Sequence, residues 1–157
     1  MTRVAMALLG SLMLAPAAMA APADDVVIPI HQFIDGFNKG DTKSAFAAYA
    51  KGDIAIVDEF APHIWRGPRA PQNWAVDYDK HAQATGVTDG SVSYGPPTRT
   101  EIEGSVAYVI VPTVYTYKEK GQPIAEEGQM TFVLSQSATG WKIGGWTWSG
   151  VKPHSAE

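Results

Sequence analysis

The sequence predicts an α+β fold in which three N-terminal helices pack on one curved antiparallel sheet. Two observations lead to this prediction. The first half of the chain has three segments whose apolar residues recur with the period of a helix, and one short strand lies between the second and third of them. From Ser91 onward the apolar residues alternate instead, and turn residues separate the segments, as in an antiparallel meander.

The first predicted helix has a single apolar face, which is formed by Val26, Ile30, Phe33, Ile34 and Phe37. The regular helix starts between residues 25 and 28, because Pro29 is tolerated only in the first turn. Gly40 is expected to end it, because glycine readily adopts the left-handed conformation that closes a helix.

The second and third predicted helices contain fewer apolar residues but have clear boundaries. Asp41 is expected to cap the second helix, which runs from 42 to about 51. The third runs from about 70 to 84, and one of its faces has the spacing i, i+4, i+7 with Trp74, Tyr78 and His81.

The predicted strands begin with 54–60, which is followed by a loop because Pro62, Gly67, Pro68 and Pro71 come next. The four later strands are 91–103 with an interruption at Gly95-Pro96-Pro97, 106–119, 124–136 and 140–149. In 106–117 both alternations are apolar, whereas the helices can cover only one face of the sheet. A second copy of the chain is the simplest cover for the other face, so we expect a homodimer.

The first twenty residues are typical of a secretory signal peptide. Arg3 precedes an apolar run, 4–14, which is too short to span a bilayer, and Ala18-Met19-Ala20 is a small-residue cleavage site. We therefore expect residues 1–20 to be removed and residues 21–157 to form a single periplasmic or secreted domain. The alternative is an N-terminal membrane anchor.

The composition argues against several classes of function. The chain has no cysteine, which excludes disulfides, a thiol nucleophile and a cysteine-based metal site. Its net charge of -4 makes it a poor candidate for binding nucleic acid or, after signal cleavage, an anionic membrane. No histidine pair or glycine-rich loop has the spacing of a metal or phosphate site, so no metal and no cofactor is expected.

Asp58 is the main candidate for a catalytic base. It shares a strand alternation with Ile54 and Ile56, so its carboxylate is expected to point toward the apolar side of the sheet. Burial there would raise its pKa toward the working pH of a general base. The alternative is a solvated aspartate at a strand end, and Glu59 belongs to the opposite alternation.

The histidines and aromatic residues extend this candidate site. His63 follows Pro62 in the predicted loop, where it could relay a proton, although a surface histidine is the simpler interpretation. The aromatic residues exceed what the core needs and suggest an apolar pocket for a hydrophobic or aromatic small molecule. The candidate ligand-binding residues are Trp65, Trp74, Tyr78, His81, Tyr108, Tyr115, Trp146 and Trp148. Some of these would instead fill the core or the dimer interface.

Five motifs in this order resemble the nuclear transport factor 2-like superfamily, specifically its SnoaL-like branch. They are Phe37-Asn38-Lys39-Gly40-Asp41, the strand 53–60, Trp65-Arg66-Gly67, Gly140-Trp141-Lys142-Ile143 and Gly145-Trp146-Thr147-Trp148-Ser149. The resemblance covers residues 21–157. It implies a cone of curved sheet closed by three helices, with a deep pocket and dimers formed through the sheet.

The resemblance leaves the activity open, because the family contains ketosteroid isomerases, polyketide cyclases, dehydratases and non-catalytic binding domains. Its isomerase and cyclase branches carry a carboxylate base near the end of the first strand, which is where Asp58 and Glu59 lie. The isomerase also uses a tyrosine and a second acid. Tyrosines 108, 115 and 117 lie on the middle strand, but Glu126 and Glu127 are close to a turn and give no match.

Three functions therefore remain open. The favoured one is an exported domain that binds a small apolar or aromatic molecule without turnover, because no oxyanion donor can be placed opposite Asp58 from the sequence. The second is a lyase or isomerase that uses this carboxylate as its base. The third is a non-catalytic dimeric interaction module.

Overall fold

The computed structural model describes residues 23–156, in which helices and one curved, open sheet form an α+β fold. A 3-10 turn, Ala23–Val27, leads into the helices α1 (Ile28–Lys39), α2 (Thr42–Ala47) and α3 (Ala70–Thr85). The strands are β1 (Ile54–Val57), β2 (Ile64–Gly67), β3 (Val87–Tyr94), β4 (Arg99–Glu103), β5 (Val106–Glu119), β6 (Gln122–Ser137), β7 (Gly140–Gly150) and β8 (His154–Ser155). The expected signal peptide, residues 1–20, lies outside the described part.

The predicted end of α1 at Gly40 and the predicted cap of α2 at Asp41 are confirmed. Gly40 ends α1 with a φ of 66°, and the Asp41 carboxylate accepts a hydrogen bond from the Ser44 amide at 3.0 Å. The second helix is shorter than predicted because residues 48–50 leave it to pair with β7. The Ala50 amide donates to the Ile143 carbonyl, and the Ile143 amide donates to the Ala48 carbonyl, both at 2.9 Å. None of the described helices is long and apolar enough to cross a membrane.

The sheet has the order β2-β1-β7-β6-β5-β3, with β4 also on β5 and β8 on β6. The meander of β5, β6 and β7 is antiparallel, as predicted, and β3 and β4 pair with different stretches of β5 on either side of the predicted interruption. The sheet as a whole is mixed rather than antiparallel, because β1 runs parallel to β7. The meander leaves one edge of β7 free, and β1 fills that edge.

The segment after β1 differs from the prediction. The first strand ends at Val57 rather than at residue 60, and the expected loop contains β2, which pairs antiparallel with β1. A tight turn joins them, since the Asp58 amide donates to the His63 carbonyl at 3.0 Å and the His63 amide donates to the Phe60 carbonyl at 2.8 Å. The prolines at 62 and 68 flank β2, so they remove no hydrogen bond from this pair of strands.

The two faces of the sheet have different surroundings. Inward-facing residues such as Val109 on β5 and Phe132 on β6 are fully buried beneath the helices. On the outer face, Tyr108 and Val133 lie opposite each other on paired strands, and Val106 lies nearby; these three side chains are 38–50% exposed. At the free edge of β3, the Asn38 side-chain amide donates to the Val92 carbonyl and accepts from the Val92 amide, both at 2.8 Å.

The outer face predicts self-association, so Val133→Glu should convert a dimer to a monomer because it places a charge in the apolar patch. Multi-angle light scattering at micromolar protein concentration measures the oligomeric state of each variant. The matched control is Val76→Glu, at a valine that is 52% exposed on α3, and it should leave the dimer intact. A monomeric wild-type protein would contradict the prediction.

Candidate functional site

A cavity of about 110 Å³ lies between the inner face of the sheet and the helices α1 and α3. Most of its wall is aromatic, and two carboxylates, Asp58 and Glu59, also line it. The aromatic and histidine side chains are Phe33, Phe37, Phe60, Trp74, Tyr78, His81, Tyr115, Tyr117, Trp146 and Trp148, and the aliphatic ones are Ile34, Val87, Val92 and Met130. No lysine or arginine is found among the described residues of this wall.

Asp58 lies in the cavity at the end of β1, on the same side as the buried Ile54 and Ile56. One carboxylate oxygen, Oδ2, accepts a hydrogen bond from the Trp74 indole at 2.8 Å, and Oδ1 accepts from the Glu59 amide at 2.8 Å. Burial raises the pKa of Asp58, and these two hydrogen bonds act against the rise. The carboxyl therefore gains a proton more readily than a solvated aspartate does.

The tyrosine pair Tyr78–Tyr115 places hydroxyl groups in the same cavity. The two hydroxyl oxygens are 2.7 Å apart, so one hydroxyl donates to the other and the second keeps a proton that it can donate to a ligand. Burial raises the pKa of both tyrosines, which keeps them protonated. Gly90 makes room for them in a bulge of β3, because a Cβ there would lie 2.5 Å from the Tyr78 hydroxyl.

A third carboxyl, that of Glu126 on β6, lies beside the cavity. Glu59 lies at the rim, and its carboxyl is the neighbour of the Glu126 carboxyl. Glu126 is only 1% exposed, and its Oε1 accepts a hydrogen bond from the Trp148 indole at 3.1 Å. Burial, the Glu126 carboxyl and the charge of Asp58 together raise the pKa of Glu59 to about 8. Glu59 therefore keeps its proton at neutral pH.

Three predicted site residues lie outside the cavity. Trp65 is buried on β2 behind Phe60 and donates a hydrogen bond to Asp77 Oδ2 at 3.0 Å, so it is a core residue. Tyr108 is on the outer face of β5 because its alternation is opposite to that of Val109, and its ring lies beneath the Arg99 guanidinium. His63 is exposed in the turn between β1 and β2.

The other predicted residues line the cavity, and some residues that line it were not predicted as site residues. Trp74, Tyr78 and His81 of α3 share the expected face, and Tyr115, Trp146 and Trp148 join them from the sheet. Glu59 also lines the cavity, because the alternation ends with β1 at Val57. The sequence reasoning missed three phenylalanines of the wall, Phe33, Phe37 and Phe60, and the buried carboxyl of Glu126.

The comparisons with known proteins reveal similarity at the level of structure. No protein-family model and no curated protein matches the chain. A ketosteroid isomerase-like protein from Erwinia carotovora atroseptica is 20% identical, with a TM-score of 0.63 over 83% of this chain and 96% of its own. A hexachlorocyclohexane dehydrochlorinase from Novosphingobium barchaimii is 12% identical, with a TM-score of 0.70 over 85% and 88%.

A third solved structure carries the name of the fold. It is a nuclear transport factor 2-like superfamily protein from Salmonella enterica, which is 16% identical, with a TM-score of 0.67 over 83% of this chain and 91% of its own. The three helices on an open, curved, mixed sheet have the fold of the nuclear transport factor 2-like superfamily. The resemblance found in the sequence is thus confirmed at the level of the fold.

The carboxyl pair predicts a specific pH dependence of stability. Glu59 holds its proton up to about pH 8 in the folded state, whereas the unfolded chain releases it near 4.5. The folded state then binds more protons over this interval, so its stability should decrease as the pH rises from 4.5 to 8. Thermal melts of Glu59→Gln should show a weaker decrease, because the amide does not titrate. The control Glu103→Gln should behave as wild type, and an unchanged slope in Glu59→Gln would contradict the raised pKa of Glu59.

Proposed function

We propose that this protein is an exported domain that binds a small apolar or aromatic molecule in the cavity beneath the sheet. The observation that carries the proposal is an aromatic cavity that also holds carboxylate and hydroxyl groups. Ligand pockets typically combine mostly apolar walls with a few polar groups that orient the ligand. The expectation of export rests on residues 1–20, with their charged start, apolar run and cleavage site.

The size of the cavity indicates the size of the ligand. An engineered protein cavity of about 150 Å³ binds benzene, and this cavity has a volume of about 110 Å³. A single-ring compound is therefore the size class that the wall accommodates, with polar substituents directed toward Asp58 or the tyrosine hydroxyls. A filled interaction module is less well supported, because the wall encloses open space.

Blocking the cavity tests the binding proposal. Val92→Phe enlarges a wall residue and should abolish binding of single-ring probes such as benzyl alcohol, because the added ring occupies their space. Tryptophan fluorescence and calorimetric titration measure the binding, since Trp74, Trp146 and Trp148 line the cavity. Val76→Phe makes the same change on the exposed face of α3 and should bind as wild type. Equal binding to both variants would place the ligand elsewhere.

A second candidate function is a lyase or isomerase in which Asp58 is the general base. Two observations favour it: the pKa of Asp58 is raised by burial, and the Tyr78–Tyr115 pair offers a donor to a developing oxyanion. In such a reaction Asp58 would remove a proton from carbon, and a tyrosine hydroxyl would donate to the carbonyl oxygen of the substrate. Structures with this fold include the dehydrochlorinase named above.

Hydrogen–deuterium exchange tests this second candidate. The wild-type protein in D₂O should accelerate exchange of the α-protons of cyclohexanone, and Asp58→Asn should lose about 10²-fold or more of that acceleration. The variant should keep its fold within about 1 kcal/mol, because the loss of one hydrogen bond is offset by removal of a buried charge.

Proton NMR measures the exchange of cyclohexanone, and a thermal melt measures the stability of each variant. Asp77→Asn is the matched control, since Asp77 accepts its hydrogen bonds from Trp65 and Lys80 outside the cavity. If Asp58→Asn exchanges the protons of cyclohexanone at the wild-type rate, Asp58 is not the general base.

A further inference from the structure

The carboxylates of the cavity form no ion pair with a basic side chain of the described residues, since His81, which also lines the wall, stacks on the Phe60 ring. Asp58 and Glu59 line the wall, Glu126 lies against Glu59, and no lysine or arginine is among the described lining residues. The donors that reach these carboxylates are neutral, namely two indole N–H groups and one amide. A carboxylate buried without a positive partner costs free energy, so this arrangement favours any positive group that can enter.

Glu126 shows where such a group would be bound. Its side chain is 1% exposed, and Oε1 is satisfied by Trp148, but Oε2 has no hydrogen-bond partner within residues 23–156. Its neighbour is a second carboxyl, that of Glu59, which can satisfy it only by keeping a proton. The position between these two carboxyl groups therefore requires a donor, and an ammonium N–H can replace the proton of Glu59 there.

The backbone near the two glutamates leaves room for the Glu126 carboxyl. Gly150 lies beside Glu126, and a Cβ at that position would overlap Oε1 and lie 2.7 Å from the Trp148 indole nitrogen. Gly128 is similar, since a Cβ there would lie 3.0 Å from the Trp148 ring. A larger residue at either position would displace the Glu126 carboxyl or the Trp148 ring. The two glycines therefore provide the space that this carboxyl and this ring occupy.

The wall beside the pair suits an organic cation. The Trp148 ring and the stacked rings of Tyr115 and Tyr117, with centroids 4.8 Å apart, line the cavity on this side. The negative faces of such rings attract ammonium groups, most strongly where water is excluded. A bare metal ion fits less well, because no group of three or more His, Asp or Glu side chains in the described residues could hold one.

We propose that the ligand of this cavity is a small organic amine of single-ring size, whose ammonium group lies between Glu59 and Glu126 and against the ring of Trp148. The inference rests on the proposed function, because it names the chemical class of the ligand for the same cavity. Binding at neutral pH displaces the proton that Glu59 holds, and an anionic ligand of the same size is excluded.

Calorimetric titration of the purified domain with three probes of one size tests the inference. Benzylamine carries the cation, benzyl alcohol is neutral and benzoate is an anion. Benzylamine should bind about tenfold or more tightly than benzyl alcohol, which corresponds to about 1.4 kcal/mol, and benzoate should not bind. Titrations in two buffers with different ionisation enthalpies should show that benzylamine binding at pH 7 releases a proton, whereas benzyl alcohol binding releases none.

Variants of the pair separate the inference from the general binding proposal. Glu126→Gln should weaken benzylamine binding by about tenfold and leave benzyl alcohol within about twofold, because only the charge is removed. Glu59→Gln, at the rim, tests the same point if the buried substitution prevents folding. Glu101→Gln on β4 is the control. Benzyl alcohol bound as tightly as benzylamine would overturn the amine inference and leave the binding proposal in place, and failure of benzylamine to bind would also overturn the inference.

Discussion

The hydrogen bond from the Trp74 indole to the Asp58 carboxylate joins the two halves of this structure. It connects the first turns of α3 to the end of β1 at 2.8 Å, across the wall of the cavity. Without it one oxygen of the Asp58 carboxylate and the Trp74 indole N–H would both be left without a partner in an aromatic environment, which is costly for each group. Together with the hydrogen bond from Trp65 to Asp77, this contact helps to fix the position of α3, which carries Tyr78 and His81.

The turn that follows β1 explains how the end of this strand becomes a chemical site. The chain turns sharply after Val57, so that two consecutive carboxylates, Asp58 and Glu59, face the same cavity. A regular strand would have directed them to opposite faces. The acidity of the cavity thus results from the turn, and the aromatic rings around it exclude the water that would otherwise screen the charges.

Much of the fold could be predicted from local patterns. The caps at Gly40 and Asp41 and the alternation through Ile54, Ile56 and Asp58 depend on neighbouring residues, and the structure agrees with them. The parallel pairing of β1 with β7 could not be predicted, because it joins segments ninety residues apart that carry no shared signal. The strand β2, which lies in a proline-rich segment, could not be predicted for a similar reason. Its stability comes from pairing with β1 rather than from its own composition.

The candidate site was predictable only in part. The face of α3 with Trp74, Tyr78 and His81 followed from helical spacing, but the roles of Trp65 and Tyr108 depend on which side of the sheet each alternation faces. Glu126 had a usable signal, since it shares its alternation with the buried Met130 and Phe132. Its proximity to a turn concealed that signal, because residues near turns are usually solvated, whereas the Glu126 side chain is covered by Trp148 and Gly150.

The pairing of Asn38 with Val92 has a consequence for the behaviour of the chain at high concentration. An open sheet exposes edge strands, and a free edge can recruit a strand from another molecule and so begin aggregation. Here one side-chain amide satisfies both backbone groups of Val92, in the way that a neighbouring strand would. An incoming strand would have to displace two hydrogen bonds before it gained any, so the chain resists edge-to-edge aggregation at β3 without losing the open form of its sheet.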